Sequence, residues 1–196
     1  MARKLITKTS MPSDEQVFKA LFDRIAEKGM GKARLSDLAT GFKVSLTDFY
    51  AVYPSVQAIL DKFLNHIDQR MIESAALDSE SDKRDIYFDL LMSRFDTLQE
   101  YRAGATRWLS DLSKHPLLWA GLLKRWEVSL SLMLDIAKDS PVFPIKKIGL
   151  GVVYLAALRE WIKDDSTDLS KTMVSIDKSL TKAQDFTQKY LTKKSA

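Results

Sequence analysis

The sequence predicts an all-α protein with a small N-terminal three-helix domain and a larger C-terminal helical domain. Only 5 prolines and 7 glycines interrupt its 196 residues, and apolar residues recur at helical spacing through long stretches. The alternation that indicates β-strands never lasts beyond about five residues. Because 45% of the residues are hydrophobic and 29% are charged, a folded globular chain is expected.

Composition also limits the possible functions. The absence of cysteine excludes disulfides, thiolate zinc sites and cysteine nucleophiles. His66 and His115 have no second histidine at ligand spacing, and no phosphate loop, catalytic triad or paired-carboxylate site is recognisable. We therefore predict a protein that is not an enzyme and that needs no metal or cofactor. The N-terminus lacks the apolar stretch of a signal peptide and no apolar run reaches about 18 residues, so we expect a cytoplasmic protein.

The N-terminal third predicts a compact head. A first helix is expected to start after Ser13, a good N-cap, and to end at Gly29. Two short helices follow at about 35–41 and 45–53. Helices this short are unstable alone in water, so they must pack on the first helix and on the one that begins near residue 54.

The remainder predicts a helical body. Helices are expected at about 86–99, 102–113, 116–137, 146–163 and 169–191. The charged segment 78–85 and the proline-containing segment 140–144 separate them. Residues 1–70 carry 11 Lys/Arg against 8 Asp/Glu, whereas the rest carries 19 against 18. This modest positive excess suits a polyanion-binding head on a near-neutral body.

Residues 17–60 resemble the DNA-binding head of TetR/AcrR-type transcriptional regulators. The matching marks are Glu27-Lys28-Gly29, Asp37-Leu38-Ala39, Val44-Ser45, Tyr50, Tyr53-Pro54-Ser55 and Ala58-Ile59-Leu60. The resemblance implies a helix-turn-helix whose second short helix enters the major groove, with Ser45 as its cap. It also implies phosphate contacts from the Tyr50 hydroxyl and from the helix that Ser55 opens. The alternative interpretation of the same residues is the end of a helical bundle with a few surface basic residues.

The recognition helix departs from the family pattern. Lys43 stands where the family usually has glycine, and left-handed backbone there would cost roughly 1 kcal/mol. Leu46, Thr47 and Asp48 replace a basic or polar residue, a glycine and a threonine. Ala51-Val52 replaces Arg-His, and Val56 replaces lysine. Most of the attraction for DNA is then expected from Lys32, Arg34, Lys43 and the basic N-terminal arm, so binding should be weak with a shallow salt dependence. The predicted DNA-binding residues are Lys32, Arg34, Lys43, Ser45, Leu46, Thr47, Tyr50, Tyr53 and Ser55.

The last two helices predict a dimer interface. The helix at 146–163 is apolar nearly all round, and the final helix carries an apolar seam at steps of three and four residues. The resemblance implies a homodimer through these two helices, whereas a helix buried inside a monomer would show the same pattern. The predicted interface residues are Val152, Leu155, Ile162, Met173, Ile176 and Leu180.

The middle helices are rich in large apolar side chains. In a TetR-like body they would enclose a pocket for a small hydrophobic effector, and the alternative is that they only form the core. The predicted pocket residues are Phe88, Met92, Phe95, Trp108, Trp119, Trp126 and Met133.

Two further features leave alternatives open. Asp164, Asp165 and Asp168 could hold a cation, but capping of adjacent helix ends is the favoured interpretation. The stretches 88–104 and 153–180 also resemble the TetR-like lipid-binding proteins of ubiquinone biosynthesis, and the basic C-terminal end could then touch a membrane.

Taken together, the residues and the resemblance predict three segments. These are a basic arm at 1–12, a helix-turn-helix domain at 13–60, and a ligand-binding and dimerisation domain at 61–196. The predicted function is that of a ligand-responsive repressor, a homodimer on a pseudo-palindromic double-stranded DNA operator that a small apolar effector releases. The alternative is a non-enzymatic lipid or quinone carrier.

Overall fold

The computed structural model describes residues 10–75, 82–139 and 144–190. Arg3, Lys4 and Lys8 of the predicted arm lie outside these ranges. Within them the regular structure is helical, which confirms the all-α prediction. The helices are α1 (Asp14–Lys28), α2 (Leu35–Gly41), α3 (Leu46–Val52), α4 (Val56–Ser74), α5 (Lys83–Gln99), α6 (Arg102–Leu112), α7 (Pro116–Ile136), α8 (Pro144–Lys163) and α9 (Ser170–Tyr190).

Capping side chains set the helix ends. The Ser13 hydroxyl accepts a hydrogen bond from the Gln16 amide (3.3 Å), and the Gln16 side chain accepts one from the Ser13 amide (3.0 Å). Gly29, at φ 80°, ends α1. Helix α5 begins earlier than the expected residue 86 because Asp82 caps it, accepting from the Arg84 amide at 3.4 Å.

The chain divides into two compact units, and the first contains residues 10–66 and 101–114. Aromatic rings fill its centre. The Phe63 ring on α4 lies 5.5 Å from Phe18, 4.5 Å from Phe22 and 5.0 Å from Tyr101, all in edge-to-face geometry. Such pairs add to the stabilisation that burial provides. These contacts hold α1, α4 and the start of α6 around one core.

Helix α6 belongs to this first unit, although the predicted boundary at residue 60 assigns it to the C-terminal body. A glycine allows α6 to approach α1 closely, because a Cβ at Gly104 would lie only 2.2 Å from the Phe22 carbonyl oxygen. At the other end of α6, Asp111 accepts a hydrogen bond from the Met30 amide at 3.0 Å. That bond from Met30 lowers the pKa of Asp111.

The second unit contains residues 67–100 and the described part of 115–190. Helix α8 packs along α9, and α5 packs against α9 as well. Phe95 of α5 stacks on Tyr154 of α8, with ring centroids 5.3 Å apart. The Trp161 indole NH donates to the Gln99 side-chain oxygen at 3.0 Å, which ties the end of α8 to α5.

The acidic segment between α8 and α9 forms a cap. Asp164 is buried and accepts hydrogen bonds from the amide and the hydroxyl of Thr172, each at 2.8 Å, and from the Ser166 amide at 3.1 Å. Asp168 accepts from the Ser170 amide at 3.2 Å. Burial alone would raise the pKa of Asp164, but these hydrogen bonds outweigh it and lower the pKa strongly. The capping interpretation is confirmed.

No helix in the described part of the chain is both long enough and apolar enough to cross a membrane.

Candidate nucleic-acid interface and ligand cavity

A tight turn joins α2 to α3 in the first unit. The Phe42 amide donates to the Leu38 carbonyl, and the Val44 amide donates to the Ala39 carbonyl, both at 3.0 Å. Lys43 adopts a φ of 55°, the left-handed conformation that favours glycine. The turn therefore has the left-handed backbone expected where the family pattern places glycine, and a lysine carries the strain.

Capping and one aromatic anchor fix the orientation of α3. The Ser45 hydroxyl accepts from the Asp48 amide at 3.1 Å, so Ser45 is the predicted N-cap. The Phe49 ring is fully buried and lies 5.0 Å from the ring of Tyr53. With Phe49 turned inward, the opposite side of this two-turn helix faces outward.

The outward side of α3 carries Leu46, Thr47 and Tyr50. All three are exposed, Tyr50 to 58%. An exposed apolar side chain beside a phenol is suited to contact base edges and phosphates. The Asp48 carboxylate accepts from the Ser45 hydroxyl at 2.8 Å and leaves a negative charge on the same end of the helix.

Tyr53 does not belong to this surface. Its ring is 1% exposed, and its hydroxyl donates to Asp14 of α1. The Lys62 ammonium lies 4.7 Å above the ring and 3.2 Å from the same carboxylate. Burial, reinforced by the Asp14 carboxylate, raises the pKa of Tyr53 above the range of an ordinary phenol. The prediction of Tyr53 as a DNA contact is wrong, because the side chain serves the core of the head.

Three exposed cations surround α2 and α3. Lys32 and Arg34 precede α2, and Lys43 lies in the turn. Their charged side-chain groups have no hydrogen-bond or ion-pair partner among the residues that the structure describes, unlike that of Arg24, which pairs with Asp37 at 2.8 Å. Cations without such partners are available to phosphates.

The start of α4 adds one polar group. The Ser55 hydroxyl is exposed and accepts from the Ala58 amide at 3.0 Å, so Ser55 opens the helix as predicted. Eight of the nine predicted DNA-binding residues are thus on the surface of the first unit.

Trp108 was assigned to the effector pocket, and that assignment is wrong. The residue lies on α6 of the first unit, where its ring is buried 6.0 Å from that of Phe22. An indole is equally apolar in a pocket and in a core, and the sequence pattern does not separate the two.

The other predicted pocket residues lie in the second unit. Phe95 and Met133 are fully buried, and four more are half-buried. Trp126 packs edge-to-face on Tyr154, with centroids 4.8 Å apart. The four half-buried residues are Phe88, Met92, Trp119 and Trp126.

A cavity of about 640 Å³ opens elsewhere in the second unit. It is formed by the start of α5, the end of α7, the first half of α8 and the last half of α9. None of the seven predicted pocket residues lines it. Its walls are mainly apolar and include Leu134, Ile148, Leu150, Val153, Leu180 and Phe186.

One end of the cavity is charged. Asp139 accepts a hydrogen bond from the Tyr87 hydroxyl at 3.0 Å and from the Lys83 ammonium at 3.3 Å, and it also pairs with Lys146. Burial alone would raise the pKa of Asp139, but the bonds from Lys146, Tyr87 and Lys83 outweigh it and lower the pKa. Lys182 lines the cavity from α9.

A second charged group lies in the core of this unit, and sequence patterns did not reveal it. The carboxylate of Asp68 is buried and pairs with both Arg94 and Arg125. The Ser129 hydroxyl donates to the same carboxylate at 3.1 Å. The Arg94 Nε has no hydrogen-bond partner among the described residues. In the sequence, this group is indicated only by charged residues at positions where α4 and α5 otherwise carry apolar ones.

The predicted dimer residues fall into two groups. Val152, Leu155, Ile162 and Met173 are exposed, Val152 to 61%. Ile176 and Leu180 are buried within their own chain, Ile176 to 0% exposure. The prediction of Ile176 and Leu180 as interface residues is wrong, because their side of α9 packs inward.

Comparison with solved structures shows the fold. The chain is similar to a TetR transcriptional regulator from Nitrosomonas europaea, with a TM-score of 0.75 and 18% identity over 87% of this chain and 97% of that one. It is also similar to a TetR transcriptional regulator from Rhodococcus, with a TM-score of 0.62 and 13% identity over 86% and 93% of the two chains. No protein-family model and no curated protein matches the sequence. The chain therefore has the fold of TetR-type regulators.

Proposed function

We propose that this chain is a homodimeric DNA-binding transcriptional regulator whose binding to DNA responds to a small apolar effector. The observation that carries the proposal is the outward side of α3, where Leu46, Thr47 and Tyr50 are exposed while Phe49 anchors the helix from behind. This is the arrangement in which a recognition helix reads the major groove.

The distribution of charge sets the strength of DNA binding. Helix α3 contains no Lys or Arg, so attraction for phosphate comes from Lys32, Arg34 and Lys43 around it. Each neutralised phosphate releases counterions and contributes about 0.9 to the salt slope. We expect weak binding at physiological salt and a shallow slope.

A mobility-shift titration tests the proposal. The probe is the double-stranded DNA upstream of the protein's own gene, with random DNA of equal length for comparison, at low and moderate salt. The expected result is retardation that favours the upstream DNA. A dimeric, folded sample that retards neither DNA at low salt would contradict the proposal.

Variants locate the interface. Replacing Lys32, Arg34 and Lys43 together with alanine should weaken binding to all sequences and flatten the salt slope by roughly 3 for each bound chain. Tyr50→Phe should weaken binding without changing the slope. The control is Lys178→Ala, which removes an exposed cation from α9 in the second unit. Equal loss in the control would argue against a localised interface.

The proposed dimer uses the exposed stripe of α8. Ile148, Val152, Leu155 and Ile162 are exposed at helical spacing, and Met173 of α9 is exposed as well. Contiguous apolar surface of this kind is typical of an interface. Val152→Asp should convert the dimer to monomer in sedimentation velocity. Val128→Asp, at an exposed position on α7, should leave it dimeric. A wild-type chain that sediments as a monomer would contradict this part.

A lipid or quinone carrier is the second candidate. The cavity of about 640 Å³ with apolar walls and the recognition helix without Lys or Arg favour it. Mass spectrometry of the purified protein distinguishes the two, because a carrier should retain isoprenoid or acyl lipid and should not shift DNA.

A further inference from the structure

The cavity in the second unit combines a deep apolar interior with a positively charged rim. Its volume of about 640 Å³ lies within the usual range of ligand pockets, about 300–1,000 Å³. Leu150, Val153 and Leu180 in its wall are buried, whereas Ile148 and Phe186 are exposed where it opens. A cavity of this volume with apolar walls favours a hydrocarbon chain or ring system over a polar metabolite.

The rim has more positive than negative charge. Lys83 and Lys146 share the single carboxylate of Asp139. Lys182 lines the same cavity, and its ammonium group has no hydrogen-bond or ion-pair partner among the described residues. Arg84 also lines the cavity and is paired with Asp177 and Asp85. Asp82 is the other acidic residue of the lining. Because Arg84 is already paired with carboxylates outside the lining, the charge open to a ligand comes from the three lysines. Against Asp82 and Asp139 they leave an excess of +1.

We propose that this cavity binds an anionic amphiphile, with its apolar chain against the α8 and α9 walls and its carboxylate or phosphate head at Lys182 and the Lys83–Lys146 pair. Lysines bind such heads as point charges with hydrogen-bond donors. A neutral hydrocarbon gains nothing from these lysines, and an organic cation is repelled by them. The inference rests on the proposed function only in that the ligand would be the effector, since binding itself is measured without DNA.

A second copy of the chain is the other possible occupant of the opening. Val152 and Ile148 line the cavity and also belong to the exposed stripe of α8. The buried wall residues and the charged rim favour a small ligand, because a partner helix would contact the exposed edge without reaching Leu150 or Val153.

Calorimetric titration with matched ten-carbon probes tests the proposal. Decanoate, decyl phosphate and decanol share one chain and differ in the head. We expect both anions to bind at least about tenfold more tightly than decanol, a ratio that corresponds to about 1.4 kcal/mol. The ratio between the two anions identifies the preferred head. Equal affinity for decanol, or no binding of either anion, would overturn the proposal.

Two pairs of variants locate the site. Gly149 lines the cavity, and a Cβ there would meet no atom within 4 Å, so Gly149→Leu should fill the space and abolish decanoate binding while the helix is retained. Gly121→Leu on α7, where a Cβ also meets nothing within 4 Å, is the control. Lys182→Glu should weaken decanoate about tenfold and leave decanol unchanged, whereas Lys178→Glu on the same helix should change neither. Wild-type affinity in Gly149→Leu would overturn the assignment of the cavity.

Sedimentation velocity with and without decanoate completes the test. If a second copy fills the cavity, the dimer will exclude decanoate, whereas monomers made by Ile162→Asp, in the exposed stripe of α8 but outside the cavity lining, will bind it. That outcome contradicts the proposal for the assembled protein. The outcome for DNA is separate. Decanoate binding without any DNA shift contradicts the proposed regulator and leaves this inference standing, whereas a DNA shift without decanoate binding contradicts this inference alone.

Discussion

The Tyr53 hydroxyl donates a hydrogen bond to the Asp14 carboxylate, which connects the residue after α3 to the first turn of α1. Together with the ring contact between Tyr53 and Phe49, this bond ties the end of α3 to α1. The phenol that the sequence suggests for DNA therefore positions the helix that we propose to contact DNA.

Tyr53→Phe removes this bond and keeps the ring. We expect a loss of about 1 kcal/mol in the free energy of unfolding, measured by urea titration. Tyr50→Phe, at an exposed position, should leave stability unchanged. Burial alone would raise the pKa of Asp14, but the bonds from Tyr53 and Lys62 lower it. The stabilisation from Asp14 is thus present above its unfolded pKa of about 3.9 and is lost as the pH falls below that value. The difference in the free energy of unfolding between wild type and Tyr53→Phe should therefore shrink at those low pH values.

Lys43→Gly should stabilise the protein. The residue holds a φ of 55°, where glycine avoids a cost of about 1 kcal/mol. Thermal unfolding should show a higher midpoint for Lys43→Gly and no gain for Lys43→Ala, which keeps the strain. Both variants lose the same charge, so they should weaken DNA binding alike. A gain in both would mean that the charge, and not the backbone, limits stability.

Gly104→Ala should be strongly destabilising. The added Cβ would lie 2.2 Å from the Phe22 carbonyl oxygen, so α6 must move away from α1. We expect a loss of about 3 kcal/mol. Gly121→Ala, where a Cβ meets nothing within 4 Å, should gain up to about 1 kcal/mol from helix propensity. Equal stability of the two variants would argue against the close approach of α1 and α6.

Asp68→Asn should destabilise the second unit. The substitution leaves Arg94 and Arg125 without their common carboxylate. Removing one partner of a buried ion pair typically costs about 3–5 kcal/mol, because the remaining charge stays buried. Asp61→Asn, at an exposed position of the same helix, should change the free energy of unfolding by less than about 0.5 kcal/mol. An Asp68→Asn variant as stable as this control would show that the arginines reach water.

Asp164→Asn should lower the free energy of unfolding by an amount that depends on pH. Hydrogen bonds from Ser166 and Thr172 overcome burial and lower the pKa of Asp164. Because the folded pKa lies below the unfolded value of about 3.9, the carboxylate stabilises the fold above that pH and ceases to do so as the pH falls toward the folded pKa. We expect a loss of about 2 kcal/mol at pH 7 and a smaller one at pH 3. A loss that is independent of pH would contradict the ionised cap.

Helix positions were predictable because they depend on local chemistry. Ser13 and Gly29 bound α1, and the apolar spacing within each segment gives its period. The helix ends that differ from the prediction reflect single capping residues. Asp82, for example, caps α5, so the helix begins before the expected residue 86. The outward face of α3 was predictable in part, since Leu46 and Tyr50 follow a cap and flank the buried Phe49.

The site residues were harder to predict, because each assignment depends on which neighbour an apolar side chain contacts. Trp108 packs with Phe22 because Gly104 draws α6 onto α1, and Ile176 is buried because that side of α9 faces inward. Apolar periodicity shows that a side chain will be covered, but not by what. The cavity was missed for the same reason, since Lys83 and Lys146 are far apart in sequence and meet at Asp139 only after folding.

By itself the sequence determined the helices, their order and the helix-turn-helix, because caps, glycines and periodicity act over a few residues. Tertiary structure decided that Tyr53 supports α3 from the core, that α6 joins the first unit, and that the open cavity lies among α5, α7, α8 and α9. These outcomes follow from packing between residues distant in the chain, where volume and hydrogen-bond partners, not local preference, select the arrangement.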